Sequence, residues 1–298
     1  MKQNYLYVHK PYFLFSLTIL LLIGTGCRNV SNSPFSESAM NALSTLEIAP
    51  PFRIELVVSE PFISDPVDMM IDENGKMYVV EMHGYPLDES GTGKIKLLTD
   101  SNGDGQIDNS IVFADGLTLP TGIMRWKNGV LVTDAPDVLY LEDSDGDGKA
   151  DIRETILTGF ALSNPQHNFN NPVYGLDNWI YLANEPTVAT QAYKEEFGDE
   201  GKDIIYPQKP QGPRLPKNAN GRNVRFRPDS YELEMTAAAS QFGQTFDSWG
   251  NHFLLNNSNH IYQELIAERY LQRNPDQLIT KVTQNLSDHG PNRQMYFP

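Results

Sequence analysis

The stretch PTGIMRWKNGVLVTD, Pro120–Asp134, decides the fold. Two apolar runs meet at Asn128-Gly129, and Asn-Gly between such runs is the strongest short-range hairpin signal. The second run, Val130-Leu131-Val132, is apolar without alternation, as a strand buried on both faces should be. It ends on a polar residue, Asp134. The phrase recurs three times. Pro66–Ile71 turns at Asp72-Glu73-Asn74-Gly75 into Lys76–Val80 and ends at Glu81. Pro172–Leu176 turns at Asp177-Asn178 into Trp179–Ala183 and ends at Asn184. Gln241–Phe246 turns at Asp247-Ser248-Trp249-Gly250 into His252–Leu255 and ends at Asn256.

Self-similarity at about 50 residues, four short strands per unit, is the period of a propeller blade. The fold expected is all-β, a β-propeller of the six-bladed type over residues 46–298. A β-sandwich is the alternative, and four matches of the whole phrase weigh against it. Four blades are legible before Pro298, so we expect an incomplete ring or a truncated product. Gln263–Arg273 reads as a helical insertion in the fourth blade. Lys194–Pro216, rich in charge, Pro and Gly, reads as a long surface loop.

Residues 1–26 carry Lys2 and Lys10 and no acid, then an apolar run over Tyr12–Ile23 closed by Gly24-Thr25-Gly26-Cys27. That order is an export signal, and the run is short for a span, which needs about 20 apolar residues. Cys27, the single cysteine, sits where a lipobox cysteine would become the lipidated first mature residue, although Gly24 stands where that pattern prefers Leu. Residues 27–45 read as a flexible tether. The expected location is the cell envelope, lipid-anchored, periplasmic or at the cell surface. One cysteine excludes an internal disulfide, a Cys-based zinc site and a CxxCH haem. The net charge of −15 argues against nucleic acid as a partner and favours cations.

The cation has two candidate loops. Asp143, Asp145, Asp147 and Asp151 occupy positions 1, 3, 5 and 9 of a calcium loop, with Gly148 at the sharp turn, Lys149 offering its carbonyl and Glu154 at position 12. Asp100, Asn102, Asp104, Gln106 and Asp108 repeat the pattern, with Ile111 in place of the closing acid, so weaker binding is expected there. Solvated acids on a Gly-Asp turn are the alternative for both. Each loop is expected at an outer hairpin, where an ion is structural.

In a propeller, equivalent strand ends converge near the axis. Glu81 with His83, Asp134 with Asp137, Asn184 with Glu185, and Asn256, Asn257 and His260 are therefore nominated as a ring able to hold a polar ligand or a metal. Turn capping by the same side chains is the alternative. His167, in the polar loop Asn164–Asn168, is a separate candidate for a base.

Several runs carry a resemblance: Glu55-Leu56-Val57-Val58-Ser59-Glu60-Pro61, Met77–Met82, Gly84-Tyr85-Pro86, Phe113-Ala114-Asp115-Gly116-Leu117, Pro120-Thr121-Gly122, Leu157-Thr158-Gly159-Phe160 and both Asp-rich loops. Together they resemble the N-terminal propeller of the membrane-bound dehydrogenases common in Planctomycetes, Verrucomicrobia and Bacteroidetes. That propeller is similar to the quinoprotein glucose and sorbosone dehydrogenases. The resemblance implies His167 as catalytic base, eight residues ahead of Gly175-Leu176-Asp177, with Glu185 orienting it. It implies oxidation of a sugar or alcohol with pyrroloquinoline quinone, and a cytochrome c as electron acceptor. It departs at Ala239-Ser240, where relatives carry the Arg-Asn pair that holds the quinone carboxylates. Arg222, Arg225 and Arg227 lie upstream, and Arg225, Asn184, Asn256 and Asn257 are the cofactor-binding candidates. The rival reading is a non-catalytic, calcium-stabilised propeller that binds a glycan or a protein.

Overall fold

The computed structural model describes residues 36–187, 194–273 and 281–286, with residues 276 and 279. The export signal, Cys27 and most of the tether lie outside the described residues. The end of the tether is helical: α1 (Glu37–Ser44) is capped by the Ser36 side chain on Ala39 N–H and buries no residue.

The rest is an all-β, propeller-like stack of four antiparallel sheets among the described residues. The first holds β1 (Pro66–Ile71), β2 (Met77–Glu81), β3 (Gly93–Thr99) and β4 (Asn109–Leu117) in chain order. The second holds β5 (Pro120–Trp126), β6 (Gly129–Asp134), β7 (Asp137–Glu142) and β8 (Ile152–Thr158). The third opens with β9 (Asn170–Tyr174) and β10 (Ile180–Ala183). The chain then returns through α2 (Lys194–Phe197) to add β11 (Ile204–Ile205) and β12 (Arg214–Leu215) to the outer edge of the second sheet. It goes back to complete the third with β13 (Val224–Arg227) and β14 (Glu232–Met235). The fourth is β15 (Gln244–Phe246), β16 (His252–Leu254), β17 (Tyr262–Glu264) and β18 (Thr283–Asn285), with α3 (Glu268–Leu271) between the last two. The opening strand of each sheet packs on its predecessor's: β5 on β1, β9 on β5, β15 on β9. All four hairpins of the repeat are present.

The second sheet shows why its strands are apolar throughout. Leu131, Val138 and Tyr140 enter a cluster shared with Phe160, Phe169, Ile180, Leu182, Val224 and Phe226 of the third unit. Their sequence neighbours Val130, Val132, Leu139 and Leu141 point the other way, onto Val80, Ile95, Leu97 and Phe113 of the first. Successive strand residues face opposite sides, so a sheet covered on both faces must be apolar at every position. Each such side chain contributes roughly 1.5–3 kcal/mol on burial.

Four expectations change. Trp126 pairs with Gly129, so Lys127 and Asn128 form the turn, and Lys127 takes the positive φ of 51°. Gly129 instead serves packing, since a Cβ there would lie 2.1 Å from the Leu141 carbonyl oxygen. Gln263 and Glu264 belong to β17 rather than to a helix, because pairing with Phe253 and His252 outweighs their local helical pattern. The segment 194–216 is not only surface: Ile204, Tyr206 and Leu215 are buried in the core that the second and third sheets share. The tether ends in the helix α1 instead of coil.

Candidate active site at the axial end

His167 closes a short 3-10 turn, Pro165–His167, whose N-cap Asn164 accepts from Gln166 N–H. The chain enters β9 directly after it, while Glu185 follows the end of β10. The hairpin partners β9 and β10 therefore carry both residues to the same end of the third sheet. His167 Nδ1 lies 2.5 Å from Glu185 Oε1. Both side chains are mostly buried, at 17% and 18% exposure. Burial pushes the Glu185 carboxyl above its ordinary value, against the hydrogen bond and charge of His167, which pull it down. A carboxylate on Nδ1 fixes the tautomer: Nδ1–H donates, and Nε2 is left as the nitrogen that can accept a proton. Gln241 also reaches the ring, with Nε2 at 3.3 Å from Nδ1, and its Oε1 accepts from Asn257 N–H. The shorter bond to Glu185 sets the tautomer. Gln241 is 74 residues from His167 in sequence, and no local signal nominated it.

A cavity of about 300 Å³ lies among the opening strands, lined by the sequence neighbours of His167 and not by His167 or Glu185 themselves. Its walls are the opening strands, through Asp68 of β1, Thr121 of β5, and Asn170 and Asn171 of β9, with Phe242 just ahead of β15. Gln166 and Asn168, the neighbours of His167, complete it with Tyr85, whose hydroxyl accepts from Gln166 Nε2 at 2.7 Å. Asn168 is 2% exposed; its Oδ1 accepts from Ser163 N–H, while its Nδ2 has no partner among the described residues. Asp68 accepts from the Ile123 and Met69 amides, and burial nonetheless holds its carboxyl above the ordinary value.

Of the nominated ring, Glu185 meets His167, while Glu81, Asp134, Asn184 and Asn256 make hydrogen bonds within the framework. Glu81 is 1% exposed and accepts from Ser64 N–H and from His83. Asp134 accepts from Thr118 and Leu119 N–H, and burial raises its carboxyl despite those bonds. Both acids thus pin the chain entering the first strand of their sheet. Asn184 donates its amide to the Asn218 and Arg222 carbonyls. Asn256 caps its own turn, accepting from Ser258 and Asn259 N–H. Arg225 does not join His167. It pairs with Glu234 and with Asp177 at 3.1 Å, and lies over Trp179 at 4.4 Å.

The fit of the two implied groups differs. The Asp143–Asp151 loop joins β7 to β8 at the outer side of its sheet, as expected. Asp143, Asp145 and Asp147 bring carboxylate oxygens within 4.8 Å of one another, a hard-oxygen set that suits calcium. Asp151 and Glu154 are not in that cluster. Asp151 closes the loop on the Ser144 N–H and hydroxyl, and Glu154, paired opposite Tyr140 in β8, accepts from Gln208. In the earlier loop Asp108 closes on Ser101 in the same way, and Asp100 accepts from Gly103, Asp104 and Gly105 N–H. Asn102 and Asp104 accept from backbone N–H two residues on, and Gln106 lends its own N–H to Asp104, so that loop gathers no acidic triad among the described residues. Pyrroloquinoline quinone, a tricarboxylate, needs cations. No Lys or Arg lines the axial cavity. Arg222 is bound to Glu268 and Arg227 to Glu232. Ser240 is held by Asn223. The residues present do not form a cradle for that group.

Among solved structures, the chain is similar to the holo form of the pyranose dehydrogenase PQQ domain from Coprinopsis cinerea, at 16% identity over 73% of this chain and 47% of that one, with a TM-score of 0.41. It is also similar to a catalytically inactive virginiamycin B lyase from Staphylococcus aureus with quinupristin, at 14% identity over 72% and 56% of the two chains, with a TM-score of 0.38. The chain spans about half the length of these structures. No curated protein matches. A family model described as a domain of unknown function, DUF7133, matches residues 38–297, and the chain belongs to that family.

Proposed function

We propose that this chain is an envelope-anchored, dehydrogenase-like propeller module that takes a sugar or alcohol into the axial cavity, with His167 as base toward one hydroxyl. The observation that carries the reading is the 2.5 Å pair between His167 and Glu185, with the sequence neighbours of His167 lining the cavity. Glu185 holds the ring and offsets the charge the imidazole gains when Nε2 takes the proton. Oxidation of the hydroxyl carbon needs a hydride acceptor, and the expected quinone lacks its cationic cradle here. Calcium in the Asp143–Asp147 loop would brace the β7–β8 hairpin of the second sheet and take no part in the chemistry. Cys27 would hold the module at the membrane through a lipid.

The second reading is a propeller that binds a glycan without turnover, favoured by the occupation of every upstream arginine in an internal ion pair. A dye-linked oxidation assay over aldoses and alcohols, with and without added pyrroloquinoline quinone, separates the two. Turnover should fall by about 10²–10⁴-fold in His167→Ala, the usual worth of a base, and substantially in Glu185→Gln. Turnover unchanged in both variants refutes the base. Sugar binding without turnover, lost in His167→Ala, selects the second reading.

A further inference from the structure

A second cavity, of about 480 Å³, lies between the third and fourth sheets at the end away from His167. Its mouth is formed by the β9–β10 turn, with Leu176 and Asp177, and the β15–β16 turn, with Trp249. His167 precedes β9 and Glu185 follows β10, so the hairpin separates the two sites by its length.

The mouth is apolar and the floor is ionic. Trp249 is 86% exposed, whereas Trp126 and Trp179 are 7% and 5% exposed. Ile180, paired with Tyr174, matches His252, paired with Phe246, so Trp179 corresponds in register to Asn251 and Trp249 stands two residues earlier, at the tip of its turn. The Trp179 indole is covered by the guanidinium groups of Arg225 and Arg227, at 4.4 and 4.5 Å. Trp249 is covered by no ring or cation among the described residues. Tyr270, 52% exposed, lines the same cavity. At the floor, Asp177 accepts from the Tyr181 hydroxyl at 2.9 Å and from Arg225 at 3.1 Å, and Arg225 is further paired with Glu234. His252 forms a wall whose ring nitrogens are both engaged, at 2.6 Å to Glu264 and 2.8 Å to Gln244.

We infer that this cavity binds a neutral saccharide unit. The floor charges of Asp177 and Arg225 already neutralise one another, so an ionic ligand gains no partner at the floor without breaking that pair, and the other lining guanidinium, Arg269, lies at the exposed rim over the Tyr270 ring at 5.1 Å. A neutral hydroxylated ligand adds a hydrogen bond to that pair, since a carboxylate has about four acceptor sites and three are in use, by Trp179 N–H, the Tyr181 hydroxyl and Arg225. A pyranose ring also has a face of C–H groups, and such a face stacks on an open indole. Few other ligands match an apolar face and a neutral, donor-rich edge at once. The inference does not depend on the role of His167.

Isothermal titration of the full chain with neutral gluco-, manno-, xylo- and chito-oligosaccharides tests it, with Trp249 emission as a second readout. We expect saturable binding to at least one series, accompanied by a shift in emission. Trp249→Ala should weaken it by at least about tenfold and abolish the emission shift, and Trp249→Phe should weaken it by less. Trp249 stands on an exposed turn, and an unchanged melting temperature will verify folding of each variant. No binding by any neutral series overturns the inference. So does binding by acidic polysaccharides alone, or full affinity in Trp249→Ala.

Discussion

Calcium removal gives the sharpest test of the outer loops. The three carboxylates of Asp143, Asp145 and Asp147 lie within 4.8 Å of one another. Their backbone donors are few: Asp143 accepts from Gly146 and Gly148 N–H, Asp145 from Asp147 N–H, and Asp147 from Lys149 N–H. Even in the dielectric of water each pair repels by about 0.9 kcal/mol at that separation, so roughly 2–3 kcal/mol is relieved when a divalent cation sits among them. The linkage relation gives a similar size, about 2.7 kcal/mol at a hundredfold excess over Kd. For a domain of this size about 1 kcal/mol moves Tm by roughly 2–4 °C, so calcium should raise Tm by about 5–10 °C over the chelated protein. Scanning calorimetry reads this directly. Asp145→Asn removes two of the three repulsions and one ligand charge while keeping a neutral oxygen ligand, and should cut the calcium shift to less than half. Asp104→Asn, in the loop without an acidic triad, should leave it intact. Superimposable melts with chelator and with calcium, or a full shift in Asp145→Asn, would refute the reasoning.

Two further outcomes follow from the second sheet. Gly129→Ala places a methyl 2.1 Å from the Leu141 carbonyl oxygen, in a strand buried on both faces; overpacking of this kind costs about 1–3 kcal/mol, and urea titration should show the midpoint fall without a change in slope. Arg125 holds the Glu73 carboxyl down to about 2 from 4.5, chiefly through its side-chain hydrogen bond. A depressed folded value means the stabilisation is complete above the unfolded value and lost as pH falls toward 2. Glu73→Gln should therefore flatten the stability curve between about pH 4.5 and 2 and leave its shape at neutral pH alone; an acid limb as steep as that of the parent would sink the idea.

The hairpins were legible because their information is local. Turn residues and two apolar runs lie within about 15 residues, and burial on both faces shows directly as missing alternation. Ile204-Ile205 and Arg214-Leu215 were not legible as strands. Each is two residues long and set in charge and proline; Ile205 gains its place by pairing back onto Thr158 of β8, and Arg214-Leu215 pair in turn on Ile205-Ile204. The helix expected over Gln263–Arg273 is present only as α3, Glu268–Leu271, and its first residues were lost to a strand for the same reason. Its first residues satisfy a helical period, but Glu264 is claimed by a buried partner, His252, on the neighbouring strand.

For the site, a shift of one residue separates architecture from chemistry. The second strands of the first two sheets end in Glu81 and Asp134, buried acids that accept amides from the chain entering the sheet. Read as a list of strand ends, these looked like ligands. The third sheet has Asn184 at that position, bound into the amide network of Asn218, Arg222 and Asn223. Its acid comes one residue later, as Glu185. Because side chains alternate along an extended chain, that displacement turns the carboxylate away from the structural position and onto His167. A capping acid and a base-orienting acid are the same residue type at nearly the same place in the repeat. What distinguishes them is register, which is fixed by pairing across the sheet and cannot be read from spacing alone.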